Sequence, residues 1–311
     1  MENIRNTEWF FKYRSCIEQG NLQNAKEVLL SNIPDDAVIY KYQKGTNRNW
    51  NCIAGQIPKL WLSQAGEFND PFDCAFLYNH HSKEIYDRDT EYNLAVKEGL
   101  KQYDRDKESE KLQQKVFVAC FSERNNSMLM WSHYAEQHTG LCVGYRLHEL
   151  IKKYNIFPVI YNNQMPQISD ISNADEGILY KSILTKCEDW SYEKEWRIID
   201  IDKSKEGCNG KLISFEKPVS IYMGVRQGRT EKKNSKQYRD IRVYDNAMSA
   251  WEAYSSEEFY VDINTIINYK TDENLIKAYI ENKNQENIDL YDFTLCKDRF
   301  KLEPRSYRNI K

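Results

Sequence analysis

The sequence predicts an α+β fold, with a mixed or antiparallel sheet core, flanking helices and a helical hairpin at the N-terminus. Apolar residues recur at helical spacing in the first 35 residues, and short segments with period-two alternation follow. The order of these later segments is too irregular for a repeated βαβ unit. Apolar residues make up 41% of the 311 residues, enough for a sizeable core, which argues against a disordered chain.

The N-terminal hairpin is predicted from two apolar patterns, at 9–17 and 22–29, which Gly20-Asn21 separates. A lone hairpin cannot bury its own apolar face. We therefore expect residues 1–35 to dock on the main domain, residues 36–311, or on a protein partner. If the chain is an enzyme, deletion of residues 1–34 should leave its turnover largely intact.

Alternating or continuous short apolar segments predict the strands of the main domain. They lie at residues 38–42, 59–63, 116–122, 141–147, 157–161, 190–201, 211–215, 220–225 and 293–296. The charged segment 84–112 predicts one or two surface helices, and 127–137 predicts another.

Charge and composition exclude several classes of protein. Lys and Arg total 44 against 47 Asp and Glu, a balance that excludes coating of nucleic acid or membranes by bulk charge. A nucleic acid target remains open through a local patch such as the basic stretch 226–239, for which a solvated loop is the other interpretation. No apolar run approaches the roughly 20 residues that span a bilayer. The polar start and eight scattered cysteines predict a cytoplasmic protein with reduced thiols.

Four segments are rich in side chains that carry chemistry: 40–42, 67–73, 119–140 and 190–200. The second contains Asn69-Asp70-Pro71, which predicts a turn. Phe68 and Phe72 would hold this turn against the core. Alternatively, Asp70 and Asp73 act as ligands or hydrogen-bond acceptors in a pocket.

The third segment combines a strand and a helix. The strand would place Cys120 and Ser122 on one face. The helix would align a stripe of Met128, Trp131, Ala135 and His138. His133 lies about 140° from His138 around the helix, so the two do not form a zinc pair, and no metal site is predicted. A nucleophilic pair of Cys120 with a histidine stays open, as does a capping or core role for His138.

The fourth segment alternates if it is a strand. One face would carry Trp190, Tyr192, Lys194 and Trp196, and the other Ser191, Glu193, Glu195 and Arg197. Arg197 could simply neutralise Glu195 on a solvated face. Alternatively, the two adjacent carboxylates and the guanidinium form a site for acid–base or cation-stabilising work.

These segments together resemble an uncharacterised bacterial family, the domain of unknown function numbered 2971. The matching motifs are Tyr40-Lys41-Tyr42, Phe68 to Phe72, Cys120 to Glu123, Trp131 to Ala135 with His138 and Gly140, and Trp190 to Arg197. The resemblance covers residues of about 36–300. It implies kinship but no activity, because the family has none assigned.

A second resemblance is to ADP-ribosyltransferases, which place an NAD-gripping residue on an early strand, a hydroxyl on a middle strand and a Glu-x-Glu pair on a later one. Here the early strand offers Tyr-Lys-Tyr where the commoner patterns have Arg or His. The resemblance implies a related fold, with NAD as substrate and aromatic rings stacked on the nicotinamide. The implied catalytic residues are Glu195, Glu193 and Ser122, and the implied NAD-binding residues are Tyr40, Lys41, Tyr42, Trp131, His133, Tyr134 and Arg197.

The function expected from this resemblance is that of an ADP-ribosyltransferase-like or NAD glycohydrolase-like enzyme, acting in bacterial defence or as a toxin effector. A carboxylate would stabilise the oxocarbenium-like cation that forms when the nicotinamide–ribose bond breaks. One alternative is a metal-dependent nuclease or phosphodiesterase, with Mg²⁺ ligands from Asp70, Asp73, Glu193 and Glu195. Another is a non-enzymatic, ligand-sensing adaptor whose N-terminal hairpin contacts a protein partner.

Overall fold

A computed structural model of the chain describes residues 4–54, 57–70, 72–74, 77–78, 113–168, 176–202, 208–226, 289–296 and 301–306. The predicted surface helices at 84–112 and the basic stretch beyond Arg226 lie outside these residues. No described helix has the length and apolar character needed to cross a bilayer.

The structure is an α+β fold whose sheets are mostly antiparallel, which confirms the predicted class. The helices are α1 (Glu8–Glu18), α2 (Leu22–Asn32), α3 (Asn47–Ala54), α4 (Met128–Tyr134), α5 (Leu147–Lys153) and α6 (Glu176–Leu184). The strands are β1 (Val38–Gln43), β2 (Lys59–Gln64), β3 (Leu77–Tyr78), β4 (Val116–Ser122), β5 (Leu141–Arg146), β6 (Ile156–Pro158), β7 (Ile160–Tyr161), β8 (Gln167–Ile168), β9 (Thr185–Lys186), β10 (Glu195–Ile201), β11 (Gly210–Ser214), β12 (Ser220–Met223), β13 (Asp289–Leu295) and β14 (Leu302–Ser306).

The chain divides into two compact units. The first unit comprises Met1–Ala37, Leu60–Glu123 and Leu147–Ile213, and the second comprises Val38–Lys59, Arg124–Arg146 and Ser214–Lys311. The predicted division at residue 35 into a hairpin and one main domain stays a prediction.

The sheet of the first unit is ordered β11-β2-β4-β10-β6. Strand β4 lies in the middle of this order, and six of its seven residues are buried, from Val116 to Ser122 with the exception of Cys120. Because both of its faces are covered, its sequence is a continuous apolar run instead of an alternating one. Strand β10 pairs antiparallel with both β4 and β6 and is itself buried from Glu195 to Ile199.

Helices α1 and α2 form the predicted hairpin and pack against the rest of the first unit. Asn21 caps α2, its side-chain oxygen accepting a hydrogen bond from the backbone N–H of Asn24. Helix α1 contacts α6 and helix α2 contacts α5. Tyr13 of α1 is fully buried, and its hydroxyl donates to the Pro158 carbonyl at 2.8 Å. The apolar face of the hairpin is therefore covered by its own chain.

The sheet of the second unit is ordered β1-β5-β12-β13-β14. Neighbouring strands are antiparallel except for β12 and β13, which run parallel. Helix α4 packs against β1 and begins at Ser127, whose hydroxyl accepts from the backbone N–H of Met130.

Helix α4 ends at Tyr134, before the predicted end at residue 137. Residues 136–138 have φ angles of 49°, 55° and 71°, in the left-handed region, so the right-handed helix cannot continue through them. The predicted helical stripe is therefore wrong at both ends: His138 is not on the helix, and Met128 is 39% exposed. Trp131, in the middle of the stripe, is fully buried.

Candidate functional site

The three predicted catalytic residues lie together in the first unit. Strand β10 begins at Glu195, and its register with β4 places Glu195 opposite Ser122. The Ser122 hydroxyl is buried and donates a hydrogen bond of 2.6 Å to the backbone carbonyl of Glu193. Ser122 thus fixes the chain immediately before the strand that carries Glu195.

The chain from 190 to 194 is not part of this strand, which corrects the predicted alternation over 190–201. Glu188–Glu193 is a 3₁₀ helix, and Lys194 follows with φ 48° and ψ 51°. On one strand, Glu193 and Glu195 would lie about 7 Å apart. The left-handed turn at Lys194 instead brings both carboxylates to one ammonium group, that of Lys186. The predicted pairing holds only from Glu195 onward.

Arg197 lies on the same face of β10 as Glu195 and is fully buried. Its Nε donates to Glu195 Oε1 at 2.8 Å and its Nη2 to Glu195 Oε2 at 2.9 Å. Nη1 contacts Asp73 Oδ1 at 2.7 Å, and Nη2 donates to Asp73 Oδ2 at 2.8 Å. Nη1 also donates to the Ile183 carbonyl at 2.6 Å. The guanidinium therefore holds two carboxylates, each through both oxygens.

Lys186, the last residue of β9, is the second cation. Its Nζ lies 2.6 Å from Glu193 Oε2, 3.0 Å from Glu195 Oε2 and 3.4 Å from Asp73 Oδ2. The Trp190 ring centroid lies 5.0 Å from the same nitrogen. Lys186 was absent from the predicted site. In the sequence, Lys186 is a single lysine that follows the apolar end of a helix. Many surface lysines occur in the same context, so this pattern does not predict a buried cation.

Five side chains form what we call the buried ion cluster: Asp73, Lys186, Glu193, Glu195 and Arg197. Their residues are 4%, 8%, 2%, 2% and 0% exposed, respectively. With all five groups ionised, three carboxylates against two cations leave one net negative charge in the interior. Because charges interact more strongly where water is excluded, this cluster can stabilise a positive charge that develops beside it.

Neighbouring charges favour the ionised forms of Glu195 and Lys186. Burial alone would raise the pKa of Glu195, but Arg197 and Lys186, with hydrogen bonds from Arg197 and Cys120, lower this pKa well below the usual carboxyl range. Burial alone would lower the pKa of Lys186, but the surrounding carboxylates, with Glu195 the strongest, raise it above the usual lysine range.

Asp70 makes turn-type hydrogen bonds to Phe72 and Asp73, in agreement with the predicted turn, of which Pro71 lies outside the described residues. Asp70 Oδ1 accepts from the Phe72 backbone N–H at 2.9 Å, and the Asp70 carbonyl accepts from the Asp73 N–H at 3.0 Å. Phe72 is 68% exposed, so the expectation that it holds the turn against the core is wrong. Phe68 is half-buried, with its ring centroid 5.6 Å from Cζ of Arg197. The turn thereby delivers Asp73 to the buried ion cluster.

Six predicted NAD-binding residues lie in the second unit, whereas Arg197 lies in the first. Trp131 is fully buried, with the Tyr42 ring centroid 5.3 Å and the Phe293 centroid 5.5 Å from its own. Tyr42 donates from its hydroxyl to the Arg124 carbonyl at 2.8 Å. Trp131 donates from its indole N–H to the Asn125 carbonyl at 2.6 Å. These contacts make Tyr42 and Trp131 part of the packing of the second unit.

The remaining members of this set are more accessible. Tyr40 and Lys41 are half-buried on β1, and the Tyr40 ring packs edge-on against Tyr222. Burial raises the pKa of the Tyr40 hydroxyl above its usual range, so this group stays protonated. His133 is exposed and Tyr134 half-buried on α4, with ring centroids 6.1 Å apart. The NAD-binding role of all seven residues stays a prediction.

The acids that the nuclease hypothesis assigns to Mg²⁺ have other partners. Asp73, Glu193 and Glu195 bond to the two cations of the cluster, and Asp70 closes its own turn. Within the described ranges, no group of three or more His, Cys, Asp or Glu side chains is arranged to hold a metal ion.

A cleft of about 680 Å³ also opens in the first unit. Its lining includes none of the predicted site residues and consists of Arg14, Glu18, Ile160, Asn162, Gln164, Met165, Pro166, Lys181 and Thr185. The volume is in the range of small-molecule sites. Its lining carries no pair of acids beside a hydroxyl, so it does not provide the predicted chemistry.

Comparison with known proteins finds a match to a family model. Residues 130–198 match the model of a family described as "Protein of unknown function (DUF2971)". No curated protein and no solved structure matches the chain. The matched region runs from the Trp131 motif through the 190–197 motif, and so contains Lys186, Glu193, Glu195 and Arg197 of the buried ion cluster. The resemblance expected from these motifs is thus confirmed: this chain carries, at residues 130–198, the sequence pattern of the DUF2971 family.

Proposed function

We propose that this protein cleaves the nicotinamide–ribose bond of NAD, transferring the ADP-ribosyl group to an acceptor or to water. The observation that carries the proposal is the assembly of Glu193, Glu195 and Ser122 where β10 begins, at the buried ion cluster with its three acids and two bases. The proposal draws on the pattern expected of ADP-ribosyltransferases, a hydroxyl on one strand beside a Glu-x-Glu pair, although here only Glu195 of that pair lies on β10.

The chemistry requires a fixed anion near a developing cation. As the bond from ribose C1′ to the nicotinamide nitrogen breaks, its electron pair leaves with neutral nicotinamide and the ribose becomes oxocarbenium-like. Glu195, kept ionised by Arg197 and Lys186, would stabilise that charge and accept a hydrogen bond from a ribose hydroxyl. Glu193 would then take the proton of the acceptor as the new bond to C1′ forms.

Access to the two carboxylates sets a condition on this mechanism. Both glutamates are 2% exposed, and Lys186 Nζ bonds to both of them. A ribose hydroxyl must therefore replace one hydrogen bond of Lys186 when the substrate binds. If no such exchange occurs, the cluster serves only to hold the turn at Asp73, β9 and β10 together.

The proposed reaction also agrees with an intracellular site of action. None of the eight cysteines forms a disulfide, which is compatible with a reducing compartment where NAD is available. An activity that depletes NAD or modifies a target with it would suit a defence or toxin effector. The acceptor, whether water, protein or nucleic acid, is an outcome of the test below.

The test incubates the full chain with NAD and measures released nicotinamide by chromatography. We expect Glu195→Gln to lower the rate by about 100-fold or more, the usual loss when one electrostatic stabiliser is removed. The matched control is Glu188→Gln, an exposed acid in the 3₁₀ helix that precedes β10, which should keep the wild-type rate.

Two results would overturn the proposal. One is a wild-type protein that releases no nicotinamide with water, protein or nucleic acid as acceptor. The other is a folded Glu195→Gln variant with an unchanged rate. If Glu195→Gln does not fold, the rate of nicotinamide release by Glu193→Gln is the test instead, because that substitution leaves both oxygens of Glu195 bonded to Arg197. An unchanged rate in a folded Glu193→Gln variant would then overturn the proposal.

A further inference from the structure

Arg5, in the short 3₁₀ helix before α1, makes three hydrogen bonds to distant parts of the first unit. Its Nε donates to the Val159 carbonyl at 3.2 Å, and its Nη1 to Glu123 Oε1 at 2.7 Å. Its Nη2 donates to the backbone carbonyl of Glu195 at 3.0 Å. The side chain is 9% exposed. A single buried guanidinium thus joins the N-terminus to the residue on which the proposed reaction depends.

Both backbone polar groups of Glu195 are held by side chains at this point. The carbonyl accepts from Arg5 and also from the Val159 backbone N–H at 2.9 Å, and the N–H donates to the Tyr161 hydroxyl at 2.9 Å. Cζ of Arg5 in turn lies 5.1 Å from the Tyr161 ring centroid. Neither group on Glu195 is free to move without breaking one of these contacts.

Glu123 extends the same support to the residues on either side of Glu195. Its Oε1, which accepts from Arg5, also accepts from the Trp196 indole N–H at 3.0 Å. Its backbone N–H donates to the Lys194 carbonyl at 3.1 Å. The hydrogen bonds of Arg5 and Glu123 therefore hold both the left-handed turn at Lys194 and the first residues of β10.

Arg5 is itself held in place by the packing of the N-terminal segment. Ile4 is 6% exposed, and Thr7 donates from its hydroxyl to the Ile4 carbonyl at 2.6 Å. Phe10 of α1 is buried, with its ring centroid 5.9 Å from Cζ of Arg5. This revises the expectation that residues 1–34 can be removed without loss of turnover.

We propose that Arg5 is a positioning residue for Glu195, acting through its backbone, so that the N-terminal segment is a working part of the site. The inference rests on the proposed function for its kinetic readout but not for its structural one. A displacement of about 1 Å at a reacting group can cost about 100-fold in rate. The three acceptors of Arg5 need donors that point in three different directions. A guanidinium provides such donors in a fixed geometry, whereas the lysine ammonium group, on its flexible stem, does not.

The experiment compares Arg5→Ala and Arg5→Lys with Arg14→Ala. Arg14 lies on α1, is 41% exposed and pairs with Glu18 at 2.9 Å, so its loss is the matched surface control. For nicotinamide release from NAD, we expect kcat of Arg5→Ala to fall about 100-fold with KM changed less than about threefold. Arg5→Lys should recover part of kcat, and Arg14→Ala should retain all of it.

Amide hydrogen exchange of the peptide 193–197 provides the second readout. We expect exchange to be about 10-fold faster or more in Arg5→Ala and unchanged in Arg14→Ala, because only Arg5→Ala removes the hydrogen bond from Arg5 to the Glu195 carbonyl. If the wild-type protein releases no nicotinamide, the proposed function is wrong, but amide hydrogen exchange still tests the positioning role of Arg5. Unchanged exchange in a folded Arg5→Ala, or full kcat in Arg5→Lys, would overturn the inference.

Discussion

Arg197 shows how one buried side chain can determine the arrangement of several others. Its five N–H groups donate to five acceptors: both oxygens of Glu195, Asp73 Oδ2, the Ile183 carbonyl and Cys74 Sγ. A buried charge is tolerated only when such partners compensate for its lost hydration. The arrangement therefore depends on the number and directions of the donors as well as on the charge.

Arg197→Lys should be strongly destabilising although it conserves the charge. An ammonium has three donors, so at least two of the five acceptors lose their partner, at about 1–3 kcal/mol for each buried group. We expect the free energy of unfolding to fall by at least about 2 kcal/mol, measured by urea denaturation. Arg14→Lys, at an exposed pair, should change it by less than about 1 kcal/mol. Equal losses for the two variants would contradict this account.

The sequence predicted part of the buried ion cluster, and the limits of that prediction are physical. Period-two alternation placed Glu195 and Arg197 on one strand face, and they do share it. The same alternation failed at Glu193, because a left-handed Lys194 is not signalled by a residue type such as Gly or Asn. Lys186 was missed because its contacts with Glu193 and Glu195, seven and nine residues away, match no contact spacing of a helix or a strand and depend on the turn at Lys194.

At the scale of elements, strand β5 shows why a glycine stands in a central strand. Gly144 pairs with Tyr40 of β1 on one side and with Ser220 of β12 on the other. A Cβ atom at this position would overlap Ser220 Oγ, lie 2.9 Å from Val38 Cγ1 and lie 3.1 Å from Tyr40 Cε1. The close side chains of the neighbouring strands therefore exclude any larger residue.

Gly144→Ala should destabilise the protein by about 1–3 kcal/mol, the usual cost of overpacking a well-packed interior. The matched control is Gly66→Ala, where the nearest atoms to a new Cβ lie 3.8 Å away, an ordinary contact distance. Thermal unfolding of the two variants measures the difference. If the thermal unfolding midpoint of Gly144→Ala is at or above that of Gly66→Ala, the strands accommodate the added methyl group without loss of stability.

Most elements were predictable because their signal is local. The apolar run of β4, the alternation of β2 and the helical periodicity of α1 and α2 each follow from burial of a face. The failures lie at element ends and in elements that were not predicted, among them α3, α5, α6 and β14. Helix α4 ends early because residues 136–138 adopt left-handed backbone conformations. The residue types at these positions did not predict such conformations. Strand β10 begins late for the same reason.

At the scale of the whole molecule, the buried ion cluster links folding to pH. In the folded state the pKa of Glu195 is lowered below its usual value by Arg197 and Lys186. In the unfolded chain it returns to about 4.3. Near that pH, the unfolded state binds more protons than the folded state does. The stability that Glu195 contributes is therefore fully present above the unfolded pKa and is lost as pH falls toward the folded one.

We expect the free energy of unfolding to decline steeply below about pH 4.3. Glu195→Gln should be less stable than the wild type at pH 7, because Arg197 loses a charged partner, yet its acid slope should be shallower. The difference in slope can reach about 1.4 kcal/mol per pH unit, the value for one proton. Urea denaturation of both proteins from pH 3 to pH 7 measures the slopes. Parallel curves would mean that Glu195 is not held ionised by its two cations.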